Sequence, residues 1–320
     1  MFIKCLKSDV IGSLLMNINV SVVIRAYNAE MYIRKALQSV INNIKEMKNI
    51  DNIEIIVGYD QGSEDNTLLI LKQFSSNNPG ILRIIQHEHM SAPEALFYCL
   101  KFAQGDYIFL LDYDDLYSKN HIERMISAMK NHNRTFSFTR LYFFEDSTKR
   151  IVGATRVPKN PHDIRNLLMF NYIGTSSICI KDDCKERILN IIKELPNVII
   201  PFVHEDWLIA LLAFKECEPL FVSNSAVFYR LHFRHRSSIQ SRKTLRITCD
   251  LLKSVLTLLA FAELEGNKLN HSERRALELG LLIRMHSIIA NSGKYADYLS
   301  ILNIYHKFND ILKLILPWLK

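Results

Sequence analysis

The chain has 320 residues, of which 48% are hydrophobic and 23% are charged. This is the composition of an ordinary folded protein and excludes wholesale disorder. Forty basic residues against 33 acidic ones give a formal charge of +7, which favours anionic partners such as phosphates or acidic lipid. Zinc-finger spacings and runs of alternating basic and aromatic residues are absent from the sequence, so we expect no nucleic-acid partner.

The sequence predicts a protein that is not integral to a membrane. Residues 1–18 are expected to be a loose N-terminal extension, because Ser8 and Asp9 interrupt their single apolar patch. The longest strongly apolar tract, residues 254–262, is far shorter than the ~20 residues that a spanning helix needs.

No C-x-x-C pair is present, so the cysteines are predicted to be reduced, mostly buried thiols of a cytoplasmic protein. They are Cys5, Cys99, Cys179, Cys184, Cys217 and Cys249.

Residues 19–242 alternate short β-rich runs with helical periods. This pattern predicts an α/β fold, with a mostly parallel, Rossmann-like central sheet flanked by helices. The first strand is NVSVVIRA, and the strands IEIIVGYD, LRIIQ and YIFLL follow it with a helical segment between each pair. Further strands are predicted near residues 136–144 and in SSICI and AVFYRLH, with helices near 161–170 and 204–214.

Strands disappear after about residue 243, and three helical patterns remain, at roughly 244–265, 271–291 and 295–316. We therefore predict an all-helical C-terminal region over residues 243–320. In its last pattern seven apolar side chains fall on one face: Ile301, Ile304, Tyr305, Phe308, Ile311, Leu312 and Ile315. This face is expected to pack against the α/β part of the chain, and a membrane-surface or partner-binding role is the alternative.

Three carboxylates, Asp112, Asp114 and Asp115, follow the buried strand YIFLL. Like charges at close range repel one another unless a cation lies between them, and open α/β sheets bind ligands at this end of their strands. Because alternate residues of an extended segment point the same way, Asp112 and Asp114 can share a site while Asp115 turns aside. Their oxygens suit Mg²⁺ or Mn²⁺ bridged to phosphates. A solvated acidic turn that caps the next helix is the alternative.

Three further groups of polar residues lie where strands end or a helix begins. Asp60 ends the strand IEIIVGYD and can accept hydrogen bonds from a nucleobase or a ribose. Glu205 and Asp206 begin a predicted helix, and one of them can act as a general base. Arg230 and His232 lie in the basic segment YRLHFRHRSS, which can complete a metal site or neutralise a diphosphate. An ordinary turn, an acidic helix cap and a basic surface loop are the respective alternatives.

Taken in order, these segments resemble the inverting, family-two glycosyltransferases with the GT-A fold. VSVVIRAYNAEMYIRKALQSV is similar to their opening strand, turn and helix, IIVGYDQGSEDNT to their nucleotide-binding turn, and AQGDYIFLLDYDD to their metal-binding D-x-D segment. HEDWLIALL resembles their acidic helix start, and VFYRLHFRHRSSIQ resembles their closing strand and His loop. Five motifs in the right order over roughly residues 19–240 make this a specific match.

The resemblance implies a donor-binding site and a metal. Asp60 would hold the base of the donor, and Asp112 would face its ribose or its sugar. Asp114 would bind Mn²⁺ or Mg²⁺, with His232 as a second contact to the metal or the phosphates. The donor-binding residues implied in this way are Ala26, Tyr27, Asn28, Asp60, Asp112 and Arg230.

The reaction implied by the resemblance is a single in-line displacement at the anomeric carbon, with inversion. The sugar would pass from a nucleotide-diphosphate-sugar donor to a hydroxyl of a glycan or of a lipid-linked saccharide. Asp206 would be the catalytic base, and Glu205 would orient the acceptor. A basic protein of this class without a spanning segment suits the synthesis of surface polysaccharide or lipopolysaccharide, with peripheral contact at the inner membrane face.

Several residues depart from the pattern of the family. They are Arg25 for a frequent Pro, Gln61 for a second Asp, His89 and Ser91 for an Asn-x-Gly, and Leu96 and Phe97 for an Arg-Asn. These departures leave open a catalytically silent module that binds a nucleotide or a glycan. A nucleotidyltransferase is not favoured, because RAYNAEMY contains no Gly-rich, Lys-bearing phosphate loop.

Overall fold

The computed structural model of the chain describes residues 18–231 and 240–292, apart from residues 46, 48 and 49. Nearly all of the predicted N-terminal extension therefore lies outside the described residues, since only Ile18 belongs to them. The third helical pattern, at residues 295–316, also lies outside them.

Four parallel strands form one half of a mixed sheet. They are β1 (Ile18–Ala26), β2 (Ile50–Asp60), β3 (Leu82–His87) and β4 (Tyr107–Asp112), in the spatial order β3-β2-β1-β4. The connecting helices are α1 (Ile33–Lys45), α2 (Thr67–Asn77) and α3 (Ala92–Leu100). This half confirms the predicted alternation of strands and crossover helices, and it brings the carboxyl ends of four strands to one edge.

The other half of the sheet mixes strand directions. It contains β5 (Leu116–Tyr117), β6 (Phe136–Glu145), β7 (Ile151–Ala154), β8 (Ile178–Lys181) and β9 (Pro219–Leu231). Strand β8 is antiparallel to both β4 and β6, whereas β6 and β9 are parallel. The expectation of a mostly parallel sheet thus holds for the first half. Strands β5 and β7 were not predicted, and β9 is longer than the predicted AVFYRLH.

Helices cover both faces of the sheet and bury two hydrophobic cores. The helices that follow β5 are α4 (His121–His132), α5 (Ile164–Met169), α6 (Asp182–Ile192) and α7 (Glu205–Glu216). Alternate residues of β1 belong to different cores, because successive strand side chains point to opposite faces. Val22 and Ile24 pack with Leu37 of α1, while Val23 packs in the core that contains Trp207 of α7.

Two C-terminal helices, α8 (Gln240–Glu265) and α9 (His271–Ser292), pack onto the α/β part of the chain. A Cβ atom on Gly280 of α9 would lie 2.3 Å from the carbonyl oxygen of Leu168, so only glycine permits this close approach to α5. Leu258 of α8 lies in the same core as Trp207 of α7. These helices occur where the first two helical patterns predicted them. None of the described helices has the length and apolar character needed to cross a membrane.

Two cysteines form a disulfide bond, contrary to the prediction of reduced thiols. Cys184 at the start of α6 and Cys217 at the end of α7 are bonded, with their Cα atoms 5.9 Å apart. The bond forms because α6 packs beside α7, a contact that no local cysteine spacing reveals. Cys99 and Cys179 are free and buried, as predicted. Cys5 and the side chain of Cys249 lie outside the described parts of the chain.

Candidate functional site

A cleft of about 460 Å³ opens at the carboxyl ends of the parallel strands. Its walls come from the ends of β1, β2 and β4, from the segment between β3 and α3, and from Tyr229 of β9. Five residues predicted from the sequence to belong to a site line this acidic cleft: Ala26, Tyr27, Asp60, Asp112 and Asp114. Residues from three motifs that are distant in the sequence thus meet on one surface.

One end of the acidic cleft combines a carboxylate with two rings. Asp60 is only 4% exposed and accepts a 2.8 Å hydrogen bond from the backbone N–H of Gly62. Its second oxygen lies 3.0 Å from Nδ1 of His89. The ring of Tyr27 is exposed, and its centroid lies 5.0 Å from that of His89. Flat rings beside a hydrogen-bond acceptor suit a planar heterocycle with N–H groups.

Asn28 shapes the rim of this end without lining the acidic cleft. Its backbone has a positive φ of 47°, a conformation that Asn tolerates better than most residues. The Asn28 backbone N–H donates to Ser63 Oγ at 3.2 Å, and its side-chain oxygen accepts from the Glu64 N–H at 2.9 Å. Asn28 therefore ties the turn after β1 to the turn after β2.

The acidic turn after β4 divides its carboxylates between the acidic cleft and the interior. Asp112 and Asp114 line the acidic cleft, whereas Asp115 is buried. Asp115 accepts hydrogen bonds from the Ser176 hydroxyl at 2.6 Å and from the Arg230 backbone N–H at 3.0 Å. Burial, and then the charges of Asp114 and Asp112, raise the pKa of Asp115 well above its usual range. Asp115 thus anchors the turn.

Arg230 lies behind this turn and not on the acidic cleft. Its Nε donates to the Asp114 carbonyl oxygen at 2.7 Å, and its Nη1 lies 2.5 Å from a carboxylate oxygen of Asp146. The guanidinium carbon is 4.7 Å from the ring centroid of Tyr32 and 4.8 Å from that of Phe144. These contacts give Arg230 the role of holding the acidic turn in place, which argues against the donor contact assigned to it from the sequence.

The acidic start of α7 is joined to the acidic cleft through Arg25. Nη1 of Arg25 donates to Glu205 Oε1 at 2.5 Å, and Nη2 donates to Asp112 Oδ1 at 2.6 Å. The same Nη1 donates to the Ala92 carbonyl oxygen at 2.8 Å. The sequence marked Arg25 only as a departure from a family pattern. The contact between Arg25 and Asp112 could have been found from the strand register, because these two residues are paired in the neighbouring strands β1 and β4.

The two carboxyl groups at the start of α7 have different proton affinities. Burial acts to raise the pKa of Glu205, but the charge and the hydrogen bond of Arg25, together with a backbone hydrogen bond and the nearby His204, outweigh it and the pKa is lowered. Burial, and then the adjacent Glu205 carboxylate, raise the pKa of Asp206 to about 7. Asp206 accepts a 2.6 Å hydrogen bond from the Trp207 backbone N–H. It can therefore gain or lose a proton near neutral pH.

Asp206 lies next to the acidic cleft without being one of the residues that line it. The charge of Asp112 contributes to raising the pKa of Asp206. The charge of Asp206 in turn contributes to raising the pKa of Tyr229, whose largest cause is burial, and Tyr229 lines the acidic cleft. The acids of the D-x-D segment and of α7 therefore lie in one electrostatic environment.

The acidic cleft can hold a divalent cation through Asp114. Within the described ranges, no group of three Asp, Glu, His or Cys side chains is arranged to ligate a metal alone. Mg²⁺, however, is often bound by one or two carboxylates together with the phosphates of a substrate. Asp112 is paired with Arg25, and Asp114, which also lines the acidic cleft, is the carboxylate that the resemblance assigns to such a site. His232, the second predicted contact, lies outside the described residues.

Two curated proteins illustrate the relatives that this sequence matches. The minor teichoic acid biosynthesis protein GgaB of Bacillus subtilis strain 168 is 27% identical over 182 residues, which is 53% of this chain and 20% of GgaB. WfgD of Escherichia coli, a UDP-Glc:α-D-GlcNAc-diphosphoundecaprenol β-1,3-glucosyltransferase, is 30% identical over 141 residues, which is 44% of this chain and 51% of WfgD. The matches thus span about half or less of these relatives.

The fold is similar to that of a solved structure, residues 1–349 of S. aureus TarS. The TM-score is 0.57 with 17% identity, and the match covers 84% of this chain and 72% of the TarS chain. TarS 1–349 has also been solved in complex with UDP-GlcNAc. This likeness confirms the predicted GT-A fold class. The family model "Glycosyl transferase family 2" matches residues 21–186, slightly more than half of the 320 residues. The chain belongs to glycosyl transferase family 2.

Proposed function

We propose that this chain moves a sugar from a nucleotide-diphosphate-sugar donor to a hydroxyl group of a glycan or lipid-linked acceptor, with inversion at the anomeric carbon. The main support is the grouping of Asp60, Asp112 and Asp114 on one cleft, with Glu205 joined to it through Arg25 and Asp206 next to Glu205 at the start of α7. Membership of glycosyl transferase family 2 supports the same class of reaction.

The donor's base binds at the end of the acidic cleft formed by Tyr27, Asp60 and His89. Asp60 accepts a hydrogen bond from a base N–H, and the rings of Tyr27 and His89 provide the stacking surface. Asp112 faces the ribose or the sugar. UDP-sugars are the first candidates, because TarS has been solved with UDP-GlcNAc and the name of WfgD specifies UDP-Glc.

Asp206 accepts the proton of the acceptor hydroxyl. As this oxygen bonds to the anomeric carbon, the bond from that carbon to the diphosphate oxygen breaks on the opposite face, and the nucleoside diphosphate leaves with the electron pair. A base with a pKa of about 7 is well matched to proton transfer at neutral pH. Glu205, held ionised by Arg25, orients the acceptor. When bound at Asp114, Mn²⁺ or Mg²⁺ supplies positive charge that stabilises the departing diphosphate.

The acceptor that we propose is a lipid-linked saccharide of surface polysaccharide synthesis. The names of GgaB and WfgD refer to teichoic acid biosynthesis and to a diphosphoundecaprenol acceptor, respectively. A formal charge of +7 favours peripheral contact with anionic lipid at the cytoplasmic face of the membrane. Co-sedimentation with liposomes rich in phosphatidylglycerol, but not with purely zwitterionic liposomes, is the expected result. Equal recovery in both supernatants would contradict the membrane contact.

The transferase proposal is tested with a panel of UDP-Glc, UDP-GlcNAc and GDP-mannose, each with and without Mn²⁺. At least one donor is expected to raise the melting temperature, because it binds only the folded state, and to release nucleoside diphosphate slowly by hydrolysis. D114N is expected to reduce the effect of Mn²⁺ on both measurements. A silent binding module would bind a donor yet release no nucleoside diphosphate under either condition, and that result would overturn the proposal.

A further inference from the structure

One guanidinium, that of Arg25, bridges carboxylates from two different parts of the site. Arg25 is the penultimate residue of β1, Asp112 ends β4, and Glu205 begins α7. Its nitrogens lie 2.6 Å from the Asp112 oxygen and 2.5 Å from the Glu205 oxygen. These two ion pairs fix the start of α7 against the parallel strands.

The Arg25 ion pairs are shielded from water. The side chains of Arg25 and Glu205 are only 15% and 14% exposed. A carboxylate removed from water takes up a proton unless a cation lies beside it, and an arginine stays charged throughout the working pH range. Among the described residues, Asp206 has no basic side chain within ion-pair distance. Within the described part of the chain, Arg25 is thus in direct ion-pair contact with Glu205 and not with Asp206.

We propose that Arg25 is a positioning residue of the transfer reaction: it fixes the carboxylates of Asp112 and Glu205 and leaves Asp206 as the carboxyl that accepts the acceptor's proton. This inference rests on the proposed function, since it assigns the roles of the two acids within the same site. Asp112, on the donor side, and Glu205, on the acceptor side, are held in one geometry by a single side chain. Removing Arg25 therefore disturbs the alignment of donor and acceptor together.

The charge environment of the acidic pair comes from several elements. The titratable and charged groups around Glu205 and Asp206 are Arg25 on β1, Asp112 on β4, Tyr229 on β9, and His204 beside them at the start of α7. Helix α3 contributes the Ala92 carbonyl oxygen, which accepts from Arg25, and α8 contributes the Thr257 hydroxyl, which accepts from the His204 N–H. Arg25 is the permanent cation within this described group.

The first test measures melting temperature against pH without any ligand, for the wild type, R25M, R25K and R25M/E205Q. In R25M the buried Glu205 loses its cation, so its pKa in the folded state rises above the unfolded value of about 4.3. Its destabilising effect is then absent near pH 4 and grows as the pH rises. R25M is expected to melt about 6–10 °C below the wild type near pH 8 and much closer to it near pH 5. R25M/E205Q should recover most of the pH-dependent loss.

The matched control is R34M, which removes an exposed arginine of α1 that contacts only Gln73 among the described hydrogen bonds. It is expected to match the wild type at both pH values. An R25M deficit that is equal at both pH values, or one that E205Q leaves unchanged, would overturn the charge pairing between Arg25 and Glu205.

The second test measures nucleoside diphosphate release from UDP-GlcNAc and UDP-Glc. R25M is expected to lower kcat on the order of 10²-fold, with the donor KM changed less than about threefold, because alignment is lost more than binding. R25K should recover part of kcat, and R34M should leave both constants unchanged. A folded R25M with the kcat of the wild type would overturn the positioning role. If the wild type hydrolyses none of UDP-Glc, UDP-GlcNAc and GDP-mannose, the proposed function fails and the catalytic role falls with it, while the ligand-free melting curves still decide the charge pairing.

Discussion

Two adjacent carboxyl groups, Glu205 and Asp206, carry different charges near neutral pH because their surroundings differ. Glu205 accepts a hydrogen bond from a guanidinium, whereas Asp206 accepts one from the neutral backbone N–H of Trp207. Partial burial penalises the ionised form of both, but Arg25 pairs directly with Glu205, whereas its charge lowers the pKa of Asp206 less than burial and the Glu205 charge raise it. The position of Arg25 thus determines which of the two acids exchanges a proton near pH 7.

At this scale we predict that D206N unfolds less readily than the wild type at alkaline pH. The pKa of Asp206 is about 7 in the folded chain and about 3.9 when unfolded, so its stabilising protonation is lost as the pH rises from about 4 through 7. Asn keeps an oxygen that accepts from the Trp207 N–H. Urea unfolding gives the free energy of unfolding of each protein. The value for D206N minus that for the wild type should be roughly 2–4 kcal/mol larger near pH 8 than near pH 4. An equal difference at both pH values would contradict this.

The residues that line the acidic cleft were largely predictable, and the partners that hold them were not. Asp60 and Asp112 stand at strand ends, and Asp114 follows two residues after Asp112, so the rule for open α/β sheets brings them together. The pairing of Arg25 with Glu205 depends on where tertiary packing places the start of α7 relative to the end of β1, which no local pattern encodes. The burial of Arg230 and its ion pair with Asp146 could not be predicted either, because a basic segment does not indicate which arginine faces inward.

At the scale of elements, the C-terminal helices α8 and α9 contact the first turn of α7 and the residue before it. The Thr257 hydroxyl of α8 accepts a 2.8 Å hydrogen bond from the backbone N–H of His204, the residue before α7. The guanidinium carbon of Arg284 on α9 lies 4.4 Å from a ring centroid of Trp207, and the indole N–H donates to the Leu167 carbonyl oxygen at 2.9 Å. Helices α8 and α9 thus brace the helix that presents Asp206.

We predict that T257V loosens the start of α7 although the side chain keeps its shape. Valine leaves the His204 N–H without its partner, which should cost roughly 1–3 kcal/mol. The same variant should lower the rate of nucleoside diphosphate release, because Asp206 is two residues away. Urea unfolding and kcat are the measurements, with T257S and S254A as controls. Ser254 lies on the same helix and bonds back to the Asp250 carbonyl oxygen, so S254A tests the loss of a hydroxyl alone.

A T257V protein that unfolds at the same urea concentration as T257S, with the same kcat, would contradict the bracing role of α8. Loss of stability with unchanged kcat would limit the role to stability.

Elements with strong periodicity were predicted, and those that depend on tertiary contacts were not. Helix α1 buries Ile33, Leu37, Val40 and Ile41 on one face, and these apolar residues recur in the sequence at helical spacing. Strand β7 has mainly exposed residues, and it forms only by pairing with β6. The extension of β9 back to Pro219 follows from parallel pairing with the start of β6 at Phe136. In both cases a neighbouring strand, and not the local sequence, decides the outcome.

At the scale of the whole molecule, one hydrophobic core joins the catalytic sheet to the C-terminal helices. Phe261 of α8 and Leu277 of α9 lie in the same core as Phe138 of β6. The predicted boundary at residue 243 therefore marks a change of secondary structure, while the described part of the helical region shares its core with the sheet. On the same side, the disulfide between Cys184 and Cys217 ties α6 to the end of α7.

We predict that C184S/C217S is less stable than the oxidised wild type by about 2–4 kcal/mol, because the bond restricts the unfolded chain. A reductant should lower the urea midpoint of the wild type by a similar amount and leave that of the variant unchanged. Intact mass after alkylation without reductant provides the direct check. Labelling of both Cys184 and Cys217 in the untreated protein would contradict the disulfide.

The most direct test of the account is the pH dependence of nucleoside diphosphate release by the wild type and D206N, measured from about pH 5.5 to 8.5 with the best donor of the panel. We predict that kcat/KM of the wild type rises with an apparent pKa of about 7, the value for Asp206. D206N should be folded, slower on the order of 10²–10⁴-fold, and without this rise. Wild-type rates in D206N, with the same pH profile, would contradict the assignment of Asp206 as the base and the proposed mechanism with it.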